Sequence, residues 1–269
     1  MTSVTIRENF VKGGGKMVYR YDGSFDGFWS CVFMSFRNRE TPEQVLAPDE
    51  LPLASGVWVG TRKDWAGRVR KGIRARFGEE VWDYLRDGFL SCLPGRAGIL
   101  LRMVQRLYRS GEKALTDCRD PDAAALRKAV LMLREEGHKL EGFLRFSGCG
   151  GMLAAVIRPK NGVLPMLAAH FSVRFPGERF LIYDEGRKLA FFHAPGRRQF
   201  LPIDGLTLPP PDEAERLCRA LWKGFLQAVS IRERENPGCQ RAHLPLRFRP
   251  WMTEFIEEEG RPALGAGKK

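Results

Sequence analysis

The sequence contains few of the residues that usually build a metal or redox site. It has four histidines and six cysteines in 269 residues. No two cysteines are spaced as C-x-x-C, and neither H-E-x-x-H nor H-x-H occurs. Zinc and iron–sulfur sites normally draw their ligands from such spacings. We therefore predict no metal site and no cofactor.

Long apolar runs are absent, and so is a secretory leader. No stretch of about 20 consecutive apolar residues is present, which excludes an ordinary transmembrane helix. The N-terminus has no basic segment followed by an apolar core. Without an export signal, we expect a cytoplasmic protein with no membrane partner, whose six cysteines are free, reduced thiols.

Acidic residues are scarce relative to basic ones. The chain has 44 Lys and Arg against 32 Asp and Glu, a net charge of +12 and a pI near 9.7. Such a surplus favours polyanionic partners, of which nucleic acid is the commonest. The alternative is a generally basic surface that only aids solubility. The basic residues are concentrated in particular helices, as described below, and this favours a polyanionic partner.

The chain length permits one large domain or two closely associated ones. We predict a single compact α+β domain over residues 17–258 and a disordered tail over residues 259–269. Residues 1–16 end in VKGGGKM. Consecutive glycine codons just before a methionine can encode a ribosome-binding site. We therefore expect translation to begin at Met17 and residues 1–16 to be a non-native or disordered extension.

A block of short β-branched and aromatic runs, bounded by turn residues, lies between His138 and Phe200. Such runs predict strands. The predicted strands are Leu140–Phe146, Leu153–Ile157, Phe180–Asp184 and Lys188–His193. Between the second and third, apolar residues recur at helical spacing from Leu164 to Phe175. The pattern is that of a small sheet covered by at least one helix.

Helical periodicity dominates the rest of the chain. Ser24 is a candidate cap for a first helix with a broad apolar face. The other predicted helices are Trp65–Phe77, Glu79–Leu93, Arg96–Ser110, Pro121 to about Glu136, and one after Pro211 that ends near Glu235. Helices and strands segregate along the chain, which is typical of α+β proteins. The predicted fold class is α+β, with a small mixed or antiparallel sheet packed with a cluster of helices.

Two of these helices concentrate positive charge beside an apolar stripe. In the helix Trp65–Phe77, the candidate DNA-binding residues are Arg68, Lys71 and Arg74. In the helix Arg96–Ser110 they are Arg102 and Arg106. Helices that place one sign of charge on their exposed side suffer self-repulsion, which a polyanion relieves. We therefore predict DNA binding with little sequence preference.

Three stretches together carry a family resemblance: YRYDGSFDGFWSCVF, HKLEGFLRF with LAAHFSVRFPGERFLIYD, and ERENPGCQRAHLPLRFRPWMTEF. They resemble a bacterial family assigned to DNA metabolism and DNA repair. Its members are typically encoded beside a radical-SAM protein assigned to DNA modification or repair. A related region also occurs fused to uracil-DNA-glycosylase-type domains. The resemblance spans Met17 to Phe255. Members often carry a carboxylate where this chain has Met34, which argues against a catalytic acid in the first helix.

Several basic residues fall within the resembling stretches. A guanidinium group matches phosphate oxygens in a bidentate arrangement. The candidate DNA-binding residues here are Arg145, Arg174, Arg241, His243 and Arg247. Alternatively, Arg174 and Arg179 pair with Asp184 or Glu178 and hold the sheet block together. Phe146, Phe171 and Trp251 are candidates for stacking on bases.

The resemblance and the charge together predict a DNA-binding or substrate-presenting subunit for a radical-SAM partner. One alternative is an enzyme, for example a hydrolase acting on damaged bases or nucleotides. Its acid–base groups would then be His138, His170 and Asp184. A second alternative is an adaptor that binds an acidic protein partner.

Overall fold

The computed structural model describes residues 17–48, 50 and 56–256. These residues divide into two compact units at Val130 and Leu131. The predicted extension at residues 1–16 and the predicted tail at 259–269 lie outside the described residues. Each unit has its own sheet, and the combination confirms the predicted α+β class.

The first unit contains a three-stranded parallel sheet of very short strands. The strands are β1 (Val18–Arg20), β2 (Gln44–Leu46) and β3 (Val57–Trp58), in the order β2-β1-β3. Helix α1 (Phe25–Asn38) follows β1, and the Ser24 side chain accepts a hydrogen bond from the Gly27 backbone N–H, as the capping prediction requires. Phe28, Trp29 and Val32 of α1 are buried.

Helix α2 (Lys63–Leu90) contains the two segments that the sequence predicts separately. They meet at Gly78, whose backbone has φ 86° and ψ 174° and is not helical. This region of conformational space is open to almost no residue but glycine. The segment before Gly78 is basic, whereas the segment after it supplies Trp82, Leu85 and Phe89 to the core.

Replacing Gly78 by Ala is expected to destabilise the first unit by about 1–3 kcal/mol, because a Cβ makes this backbone conformation unfavourable. A Cβ built at Gly78 meets no atom within 4 Å, so the cost is conformational and not steric. Gly67→Ala is the matched control. Gly67 lies inside α2 and a Cβ there also meets nothing within 4 Å, so this change should stabilise the helix by about 1 kcal/mol. Thermal unfolding of both variants tests this prediction: the melting temperature should fall for Gly78→Ala and rise for Gly67→Ala.

Three further helices complete the core of the first unit. They are α3 (Arg96–Ser110), the single turn α4 (Lys113–Thr116) and α5 (Pro121–Phe143). Leu100, Leu101 and Val104 of α3 are fully buried. Helix α5 runs across the division between the units. Its N-terminal part places Leu126 and Val130 in the core of the first unit.

The second unit is built on a five-stranded mixed sheet. Its strands are β4 (Ser147–Cys149), β5 (Met152–Ile157), β6 (Phe180–Asp184), β7 (Leu189–Ala194) and β8 (Arg197–Pro202), paired in chain order. Only the β5–β6 pair is parallel, and helix α6 (Leu164–Arg174) forms its crossover. The predicted strand at Phe180–Asp184 and the predicted helix from Leu164 are confirmed.

The prediction of a strand at Leu140–Phe146 is wrong. Helix α5 continues through Phe143, since Leu133, Leu140 and Leu144 are buried at spacings of seven and four residues. The edge strand that pairs with β5 is instead β4, which begins at Ser147.

The C-terminal part of the second unit is helical with few buried residues. Helix α7 (Glu213–Val229) ends before the predicted Glu235. Asn236 begins the next helix, α8 (Pro237–His243), because its side chain accepts a hydrogen bond from the Cys239 N–H at 2.9 Å. Short 3₁₀ turns at Leu246–Trp251 and Thr253–Phe255 follow.

Two other sequence predictions can be compared with the structure. All six cysteines are free thiols. Burial raises the pKa of the Cys31 thiol to about 12, which keeps it protonated. Over residues 17–48, 50 and 56–256, no helix combines the length and apolar character needed to cross a membrane.

Candidate nucleic-acid interface

The basic segment of α2 carries a dense group of exposed cations. We call it the α2 cationic surface; it consists of Arg62, which is the N-cap residue of α2, and of Lys63, Arg68, Arg70, Lys71, Arg74 and Arg76 within the helix, all of which are exposed. Apolar residues of the same segment point the other way, and Ile73 is fully buried. An amphipathic helix whose exposed side is this uniform in charge is electrostatically unfavourable without a counter-charge.

Aromatic rings hold part of this surface in place. Trp65 stacks on Phe33 of α1, with ring centroids 4.8 Å apart. The Arg62 guanidinium lies 4.5 Å from the centroid of the Trp65 ring, and the Arg68 guanidinium lies 5.1 Å from that of Phe33. Cation–π contacts of this kind restrict the guanidinium groups. The N–H donors of Arg68 stay available, whereas Arg62 uses two of its own on Asp64.

Two cations of the α2 cationic surface have carboxylate partners. Arg62 pairs with Asp64 at 3.1 Å, and Arg74 pairs with Glu79. The other five form no ion pair with any described carboxylate: Lys63, Arg68, Arg70, Lys71 and Arg76. These five are the positive charges that remain for an external anion.

Arg102 and Arg106 of α3 are engaged within the first unit. Arg102 makes a bidentate pair with Asp122, with both N–O distances at 2.8 Å. Arg106 pairs with Asp120 and, at 3.2 Å, with Asp122. The hydrogen bonds from Arg102 lower the pKa of the Asp122 carboxyl. These ion pairs fix the start of α5 to α3. The carboxylates of Asp120 and Asp122 also neutralise the positive charge of the two arginines.

Arg145 and Arg247 are also paired, in the second unit. Arg145 donates to Glu254 at 2.8 Å and to the Gly142 carbonyl at 2.8 Å. Arg247 lies 3.0 Å from Glu136, whose side chain is 2 % exposed. The residues that neutralise them are distant in sequence, and no local pattern identifies them as partners.

The remaining basic candidates are exposed. The Arg174 guanidinium lies 5.6 Å from the Phe175 ring centroid. It is not paired with Asp184, which instead binds Arg187 at 3.0 Å. Arg241 lies on α8 and forms no ion pair with any described carboxylate. His243 is exposed, and its Nδ1 lies 2.9 Å from the Cys239 carbonyl oxygen.

The three residues of the enzyme alternative have different surroundings. His138 and His170 lie 3.5 and 3.8 Å from the same carboxylate, Glu141. Asp184 is fully buried beside Arg187, and burial raises the pKa of its carboxyl. No group of three or more His, Cys, Asp or Glu residues within the described part of the chain could hold a metal ion. The predicted absence of a metal site remains a prediction.

A cavity of about 540 Å³ in the second unit contains basic residues that the sequence predictions mostly missed. The basic residues that line it are Arg145, Arg216, Arg219 and Lys223. The last three are spaced three and four residues apart on one side of α7, a signal that sequence reasoning could have used. The apolar residues Leu217, Leu221 and Phe225 of the same helix are exposed.

Trp58 is a second residue that the predictions missed. It ends β3, five residues before α2 begins, and 59 % of its surface is exposed. An exposed indole near a cationic segment is a candidate for stacking on an unpaired base.

Comparison with known proteins places most of this chain in one family. Residues 94–254 match the model of DUF4130, a domain of unknown function. This match begins just before α3, so it excludes the α2 cationic surface and includes nearly all of the residues that line the cavity. No curated protein and no solved structure matches the chain. Because the match covers more than half of the sequence, the chain belongs to the DUF4130 family.

Proposed function

We propose that this protein binds DNA through the α2 cationic surface. The observation that carries the proposal is the set of five exposed cations that have no carboxylate partner among the described residues. Backbone phosphates supply the missing negative charge, and contacts to phosphate do not depend on base sequence. The proposal therefore includes weak sequence preference.

The aromatic residues around this surface favour single-stranded or locally unpaired DNA. Arg68, which rests on the Phe33 ring and has no described carboxylate partner, is preorganised for phosphate oxygens. The exposed Trp58 ring offers a face on which an unpaired base can stack. In a fully paired duplex the base faces are already stacked, so Trp58 would add nothing to the affinity.

We place this binding in DNA metabolism or repair, in keeping with the family resemblance. The protein would act in the cytoplasm as an accessory subunit that presents DNA to a radical-SAM partner. The support for this partner is the resemblance, and the support for DNA as its substrate is the α2 cationic surface.

Fluorescence anisotropy with labelled single-stranded and duplex oligonucleotides of mixed sequence tests the proposal. At low salt we expect binding to both and tighter binding to the single strand. If all five unpaired cations meet phosphates, log K should fall against log salt with a slope between about −3.5 and −4.5. Absence of binding at low salt, or a slope near zero, would overturn the proposal and favour an adaptor that binds an acidic protein.

A further inference from the structure

The cavity in the second unit is bounded by four segments of that unit. They are β4 with β5, the Thr207–Pro211 segment, α7, and the segment from Pro250 to Ile256. Its volume of about 540 Å³ lies within the range of roughly 300–1,000 Å³ that is typical of small-molecule sites. It is therefore large enough to enclose a whole metabolite.

Two of its four cations are already neutralised. Arg145 pairs with Glu254 at 2.8 Å, and Arg219 pairs with Glu215 at 2.7 Å. Arg219 also donates to the Ser147 hydroxyl at 2.8 Å. These contacts hold the two arginines in the wall but leave no net charge on either pair.

The other two cations have no carboxylate partner among the described residues. Arg216 donates to the Pro211 carbonyl at 2.9 Å, and Lys223 donates to the Ile256 carbonyl at 3.0 Å. Each uses one N–H group in this way, and each side chain has more donors than that. The cavity therefore carries about two uncompensated positive charges, with free donors to direct at an anion.

Ser147, Thr207 and Thr253 also line the cavity, and much of the remaining wall is apolar and includes flat surfaces. The apolar part is formed by Ala154, Val156, Leu208, Pro209, Pro210, Pro211, Pro250, Trp251 and Ile256. Proline rings and an indole are suitable surfaces for a planar ring system. The cavity thus combines a doubly positive region with an apolar region.

We propose that this cavity binds a nucleoside monophosphate group. A phosphate monoester carries a charge of about −1.5 to −2 at neutral pH, which matches Arg216 and Lys223 together. A single carboxylate would neutralise only one of them. The base would lie against the apolar wall at Trp251 and the prolines. The group can come from a free nucleotide or from the 5′-phosphorylated end of a DNA strand, because both present the same chemistry.

Isothermal titration calorimetry at constant ionic strength tests the site. The probes are the four deoxynucleoside 5′-monophosphates, the four deoxynucleosides and inorganic phosphate. We expect at least one monophosphate to bind about tenfold or more tightly than both its nucleoside and inorganic phosphate. If nucleosides or inorganic phosphate bind as tightly, or if no monophosphate binds, the proposal fails.

Arg216→Gln and Lys223→Gln should each weaken this binding by about tenfold or more, since each removes a charged donor. Each residue also donates to one backbone carbonyl, Arg216 to that of Pro211 and Lys223 to that of Ile256, so a loss of binding in both variants is attributed to the charge that they share. Arg198→Gln is the matched control, since Arg198 is exposed in the same unit and does not line the cavity. An Arg216→Gln variant that folds like the parent and binds equally well would overturn the assignment.

Oligonucleotides distinguish the two sources of the monophosphate. If the ligand is a strand end, a 5′-phosphorylated oligonucleotide should compete with the bound monophosphate and its 5′-hydroxyl counterpart should not. If the ligand is a free nucleotide, neither should compete. This site does not depend on DNA binding by α2, and the monophosphate titration would succeed or fail separately from that proposal.

Discussion

Replacing Lys63, Arg70 and Lys71 together by Ala is expected to reduce DNA affinity on the order of 10²-fold at about 0.1 M salt. Each of these exposed cations lacks a carboxylate partner, so each can release condensed counterions when it meets a phosphate. The salt dependence should become shallower by about one unit per residue. None of the three is buried, so the fold should be unaffected. Anisotropy titrations over a range of salt concentrations measure both quantities.

The matched control removes the same net charge from exposed positions elsewhere. Lys128, Arg197 and Arg198 are exposed and form no ion pair with any described carboxylate. Their triple Ala variant should retain most of the affinity and the parental salt slope. If both variants lose affinity equally, the binding is a general effect of net charge, and the α2 cationic surface is not the contact.

This variant differs from a choice based on sequence alone, which selects Arg68, Lys71 and Arg74. Arg74 is neutralised by Glu79, and Arg68 rests on the Phe33 ring. Removing these two would disturb local contacts as well as charge. Lys63 and Arg70 provide a cleaner test because neither makes such a contact among the described residues.

Replacing Glu136 by Ala is expected to destabilise the second unit by about 3–5 kcal/mol. The Glu136 carboxylate is almost fully buried and accepts from the Lys160 N–H at 3.1 Å and the Asn161 N–H at 2.8 Å. It also accepts from the Asn161 side chain at 2.8 Å and pairs with Arg247 at 3.0 Å. Removing it leaves several donors without an acceptor, and Asn161 is itself buried.

Glu135→Ala is the control for this prediction. Glu135 precedes Glu136 on the same helix but is exposed, so the same chemical change should alter stability by no more than about 0.5 kcal/mol. Near-UV circular dichroism during thermal unfolding compares the two variants. If the Glu136→Ala and Glu135→Ala proteins have the same melting temperature, this buried carboxylate does not hold the Lys160–Asn161 loop.

Sequence periodicity located the elements well where the apolar spacing was regular. The helix Arg96–Ser110 and the strand Phe180–Asp184 have the predicted bounds. Periodicity failed at Leu140–Phe146, where a short apolar and aromatic run looks the same as a strand or as the last turn of a long helix. The helix is favoured over the strand because Leu133 and Leu140 are buried on one side of it. Their burial depends on the tertiary structure and cannot be read from the local sequence.

The candidate site was less predictable than the fold. The sequence shows where cations are but not which carboxylates meet them. Asp120 directly precedes the predicted helix start at Pro121, but its contact with Arg106 arises only when α3 and α5 pack together. The cavity draws on segments more than 100 residues apart, from Arg145 to Ile256. Convergence of that kind has no local signature.

Charge changes sign abruptly at Gly78, and this affects how fast a partner arrives as well as how tightly it binds. The cations of the α2 cationic surface precede Gly78, whereas the exposed acids Glu79 and Glu80 follow it directly; Asp83 and Asp87, further along, pair with Arg86. The positive end of the helix dipole adds to the cations at the start of α2. An approaching polyanion is therefore attracted to one half of the helix and repelled by the other before any contact forms. Such steering accelerates association and is lost as salt shortens the range of the field. Much of the salt dependence of the affinity should consequently come from the association rate constant. The dissociation rate constant should depend mainly on the contacts in the complex.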